Sequence, residues 1–78
     1  MTSEEFCNWL AAMKARGFSK QESGVLIGRS PVWVSRAQKD GADQMAALAC
    51  AAVYIGLQPF TTEAEVSLRP RLKHLARL

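Results

Sequence analysis

Between residues 19 and 41 the chain reads SKQESGVLIGRSPVWVSRAQKDG, and the side chains able to do chemistry there are cationic and hydrogen-bonding. From Arg29 to Lys39 there are three cations, Arg29, Arg36 and Lys39, and no acid. A guanidinium makes paired hydrogen bonds to a planar acceptor edge such as that of guanine, a serine hydroxyl donates or accepts, and a valine packs against the methyl of thymine. Arg36, Ser35 and Val32 are therefore the candidates to read base edges. Lys20, Gln21, Ser30 and Lys39 suit phosphate oxygens, whose contacts fix orientation without carrying sequence. At Ser30 the free N–H groups of a helix start add to that affinity. Arg29 and Trp33 are further candidates for contact, the Trp33 indole lying either on the preceding helix or against the sugar-phosphate surface.

These residues are useful only if helices hold them. Ser19 and Glu22 have capping-box spacing, and Val25, Leu26 and Ile27 supply the apolar face expected to be buried by a helix of about two turns that stops at Gly28. Ser30 is an N-cap with Pro31 at the first helical position, so a further helix runs over about residues 31–39 and ends at Asp40-Gly41. Gly24 falls where the two helices approach closely, with no room beyond a methyl, and Gly28 falls at the turn, where positive φ is wanted. Val34 and Ala37 point inward, which sends Val32, Ser35, Arg36 and Lys39 outward.

Two more helices frame this unit. Thr2 and Glu5 again have capping-box spacing, and Phe6, Trp9, Leu10 and Met13 form a stripe over residues 3–16 before Gly17. Asp43 caps a fourth helix through Met45, Leu48, Ala49, Ala52, Val53 and Ile55, closed by Gly56 and Pro59 and expected to lie across the other three or to form a subunit contact. Tyr54 and Phe60 are expected to complete the core. Thr62 with Glu65 opens a further turn, Pro70 breaks it, and Val66, Leu68, Leu72, Leu75 and Leu78 make an amphipathic tail carrying Arg69, Arg71, Lys73 and Arg77. That tail is read as a dimer contact, a supplementary phosphate contact or a loose end, with His74 exposed on it. The expected organisation is all-α: a four-helix domain over residues 1–60 and a basic tail over residues 61–78.

Composition bounds the rest. Seventy-eight residues bury only about 60% of the surface their unfolded chain exposes, so stability is marginal and a homodimer is favoured. The net charge of +3 is compatible with a polyanionic partner. Cys7 and Cys50 have no neighbouring ligands at zinc spacing and read as buried thiols, so no metal and no cofactor is expected. The longest apolar run is too short to span a bilayer, which points to the cytoplasm and away from membranes. Paired carboxylates in a pocket, a Ser-His or Cys-His arrangement and a phosphate-cradling glycine loop cannot be assembled, so no catalytic residue and no enzyme activity is expected.

Residues 19–41 resemble the phage Cro and repressor family of helix-turn-helix transcriptional regulators, and more loosely the resemblance covers about residues 3–56. Gly24 stands at the family's small inter-helix residue, Gly28 at its turn glycine and Val34 at its inward aliphatic; Arg29 stands where the family usually has an apolar residue. In size and single domain the chain is similar to small phage regulators, including anti-CRISPR-associated repressors. The resemblance implies a dimeric repressor that binds double-stranded DNA at an inverted repeat. The alternative is a small protein-interaction module in which the helix-turn-helix is only scaffold.

Overall fold

A computed structural model describes residues 1–63, 65, 66 and 69. The chain is all-α, with four helices: α1 (Ser3–Ala15), α2 (Lys20–Leu26), α3 (Pro31–Asp40) and α4 (Gln44–Tyr54). Each starts at a side-chain cap. Thr2 and Ser19 accept from the N–H of Glu5 and Glu22, whose carboxylates accept in return from the cap N–H groups at 2.7 and 2.9 Å. Ser30 accepts from Trp33 N–H, with Pro31 behind it, and Asp43 accepts from Ala46 N–H. These bonds satisfy donors that a helix start otherwise leaves orphaned.

The core is one cluster, Phe6, Trp9, Leu10 and Met13 of α1 against Val34 and Ala37 of α3 and Cys50 of α4. Its aromatic centre is Phe6, 5.6 Å from the Trp9 ring and 5.7 Å, nearly edge-on, from Trp33. Trp33 is half-buried and packs on α1, where the sequence pointed to α2 or to DNA: the residue beside an inward valine on α3 meets the stripe of α1 first. Two polar contacts tie α4 to α1. Trp9 Nε1 donates to the Cys50 carbonyl at 3.1 Å, and Arg16 donates to the Tyr54 carbonyl at 2.7 Å while its guanidinium lies over the Tyr54 ring. At the α3–α4 corner Ala42 N–H donates to the Met1 carbonyl, and Gly41 has φ 84°. A Cβ there would stand 2.6 Å from that carbonyl oxygen, so glycine is required on both counts.

Three further expectations are corrected. Val25 and Leu26 of α2 are not its buried face: they are 72% and 47% exposed, while Ser23 and Gly24 are buried and Ile27 partly so. Consecutive helical residues lie about 100° apart, so three in a row cannot share one face, and the residues turned toward α3 must be small. Tyr54 and Phe60 do not complete the core; Tyr54 is exposed beneath Arg16, and Phe60, beyond Pro59, is 73% exposed. Cys50 is buried, but Cys7 is only half-buried, its thiol 3.6 Å from the Gln38 carbonyl. On the fourth helix Ala46 and Cys50 face inward, while Met45, Leu48 and the C-cap Ile55 stay exposed.

Helical backbone resumes at Thr62, with Glu65 N–H donating to the Thr61 carbonyl and Arg69 paired with Glu65 at 2.8 Å. The expectations attached to Leu68, Pro70, Arg71, Leu72, Lys73, His74, Leu75, Arg77 and Leu78 lie outside the described residues. Among the described residues no helix is long and apolar enough to cross a membrane.

Candidate nucleic-acid interface

The α2–α3 unit is held rigid by its turn. Gly24 carbonyl accepts from both Ile27 and Arg29 N–H, and Gly28, at φ 71°, donates to Val25. The left-handed conformation at Gly28 lets the last carbonyls of α2 be satisfied while the chain reverses into the Ser30 cap. Arg29, where an apolar residue was the pattern, leaves the turn intact because its side chain is directed over the Trp33 ring, 5.1 Å from the centroid.

The helices meet where Gly24 faces Val34. A Cβ built on Gly24 stands 2.7 Å from Val34 Cγ2, so not even a methyl fits, a tighter fit than the sequence implied. Val34 and Ala37 are buried, at 1% and 2% exposure, and this fixes the rotation of α3 about its axis. Val32, Ser35, Arg36 and Lys39 accordingly all stand exposed. Val32 is 70% exposed, a position the core does not explain. Among the described residues neither Arg36 nor Lys39 has an acidic partner, and both charges point to solvent.

At the start of α2, Lys20 and Gln21 are exposed and border, with Ser19, Pro31, Val34 and Ser35, an open groove of about 410 Å³. Lys20 Nζ donates across it to Ser35 Oγ at 3.2 Å. Residues fifteen apart and on different helices carry no joint periodic signal, so this pairing is invisible in the sequence. Glu22, the acid nearest this cluster in sequence, is folded back onto the Ser19 N–H, which holds its carboxyl below the usual carboxylate range. Its charge therefore serves the start of α2. Ser30 is exposed, with its oxygen engaged as the cap of α3 and, among the described residues, no acceptor for its proton.

A second groove, apolar and of about 720 Å³, lies between the end of α2 and the end of α4, walled by Phe18, Val25, Leu26, Val53, Leu57 and Pro59 among others; it takes no residue from α3, but an apolar hollow of about 460 Å³ shares its Phe18, Val25 and Leu26 wall and reaches Gln21 and Pro31. Among the described residues no group of three or more His, Cys, Asp or Glu could hold a metal ion. Comparison with known protein families, with curated proteins and with solved structures finds no match to this chain.

Proposed function

We propose that this chain is a sequence-specific DNA-binding transcriptional regulator, a homodimeric cytoplasmic repressor that lays α3 in the major groove of each half of an inverted repeat. The observation that carries this reading is the outer face of α3: Val32, Ser35, Arg36 and Lys39 are exposed together and, among the described residues, without acidic partners, on a helix whose rotation Val34 and Ala37 fix. Its groups are those that read base edges, Arg36 by paired bonds to guanine and Val32 by contact with a thymine methyl. Lys39, Gln21 and Ser30 flank that face and serve phosphates. Resemblance of residues 19–41 to the Cro and repressor helix-turn-helix supports the same docking. The apolar groove between α2 and α4 suits a second copy, because it takes no residue from the outer face of α3 and the apolar surface beside it reaches that helix at Pro31, ahead of Ser35, Arg36 and Lys39.

The test is selection of duplex DNA from a random library with the full chain, followed by titration of the recovered site at rising salt. A palindromic site is expected. Arg36→Ala should cost about 1–3 kcal/mol and relax one base pair, whereas Lys39→Ala should weaken all sequences alike and flatten the salt dependence. An Arg36→Ala variant with unchanged affinity and preference would sink the reading. The same groove also favours a second reading, a protein-interaction module; a chain that enriches no DNA at low salt would leave that one standing.

A further inference from the structure

Lys20 sits on α2, outside the helix proposed to read bases, and its position alone gives it the role of a phosphate contact. Its actual partner is a candidate base reader: the ammonium donates to Ser35 Oγ at 3.2 Å. A serine hydroxyl has one donor and two acceptor sites and by itself discriminates poorly, since it can bond to donors and acceptors alike. The lysine removes that ambiguity in two ways. It occupies one lone pair of Oγ, and it places a full positive charge beside the other.

Among the described residues the hydroxyl proton has no competing use. Ser23, on the same unit, gives its proton to the Ser19 carbonyl at 2.8 Å, the usual resting place for a serine inside a helix. Ser35 makes no such bond, and among the described residues its proton has no acceptor. It stands exposed on the outer face of α3, one residue from Arg36.

We propose that Lys20 is a specificity-determining positioning residue: by donating to Ser35 it makes that hydroxyl a hydrogen-bond donor toward a base acceptor, so Ser35 selects a base presenting N7, O6 or O4 in the major groove and rejects cytosine. The amino group of cytosine would have to approach an oxygen already engaged by a cation, and its own positive hydrogens would face the ammonium. A keto oxygen or a purine N7 meets a donor and a favourable charge together. This inference rests on the reading of α3 as the base-reading helix.

The test is selection from a random duplex library with the wild-type chain, Lys20→Met, Lys20→Arg, Ser35→Ala, the Lys20→Met/Ser35→Ala double variant and Arg36→Ala, all at one salt concentration. Lys20→Met and Ser35→Ala should relax the same base pair, each losing about three- to tenfold discrimination against cytosine, the range of one net hydrogen bond. The double variant should lose no more than either alone, Arg36→Ala should relax a different base pair, and Lys20→Arg, which keeps a donor, should retain the preference. A Lys20→Met variant that binds every sequence more weakly by one common factor, with the preference at the Ser35 base pair intact, overturns the proposal while leaving the DNA reading in place. Absence of any preference in both the wild type and Arg36→Ala overturns the DNA reading, and this inference with it. Lys20 and Ser35 are exposed, so these variants should fold, as unchanged thermal midpoints would verify.

Discussion

The contact between Gly24 and Val34 makes the most demanding statement about any single residue. Alanine is intrinsically the better helix former by about 1 kcal/mol, so an unconstrained Gly24→Ala change would stabilise α2. Here the new methyl would meet Val34 Cγ2 at 2.7 Å, and Val34 is buried and stiff at χ1, so it cannot rotate away. Overpacking of this kind costs about 1–3 kcal/mol, and Gly24→Ala should lower stability in urea titrations. In a Val34→Ala background the clash is gone and the same change should be neutral or stabilising, a coupling of at least about 1 kcal/mol in a double-mutant cycle. Cys50 makes a second test. Burial pushes its thiol up to about 11 from the ordinary 9.0, so the unfolded chain ionises first as pH rises. Stability should therefore fall between about pH 9 and 11, and that part of the loss should be missing in Cys50→Ala, measured by denaturant titration across the range.

At the scale of the element, α2 is the weak member. Seven residues are too few for an isolated helix, and its only buried side chain beyond glycine is Ser23, so caps and neighbours must hold it. Ser19→Ala removes the acceptor for the Glu22 N–H and should cost about 1 kcal/mol, read as a lower thermal midpoint. The capping boxes also set the acid limit. Glu5 and Glu22 both ionise more readily in the fold than in the unfolded chain, because the backbone N–H groups of Thr2 and Ser19 bind their carboxylates. The stability they lend is complete above the ordinary value of 4.5 and is lost as pH falls through the lower folded values. Glu22→Gln, which removes the titrating carboxylate, should abolish that acid loss at α2 while leaving the Thr2 and Glu5 share in place.

For the molecule as a whole, the outer face of α3 is polar and the groove between the ends of α2 and α4 is apolar, and an adjoining apolar hollow over Phe18, Val25 and Leu26 reaches α3 at Pro31. A stable dimer needs about 800 Å² from each partner, a modest share of the chain's 5990 Å² surface. Val25 lines the groove yet is 72% exposed, so Val25→Glu should leave the monomer folded while placing a charge in the proposed contact. Sedimentation should then show a monomer, the thermal midpoint should lose its dependence on protein concentration, and operator affinity should fall steeply. An unchanged dimer would place the contact elsewhere.

By itself the sequence determined the local grammar: four caps, the Pro31 start, the Gly28 turn, the inward Val34 and Ala37 and, by elimination, the outward Val32, Ser35, Arg36 and Lys39. Such signals lie within one helical turn of one another, where spacing fixes geometry. Tertiary structure alone decided the partners. Trp33 chose Phe6 of α1, Arg29 the Trp33 ring and Lys20 the hydroxyl of Ser35, while Val25 and Leu26 were left outside and Tyr54 went to Arg16. Each of those outcomes depends on how two helices rotate against each other, which in this fold is set by close fits such as glycine against valine, and no periodicity along one chain encodes an angle between two.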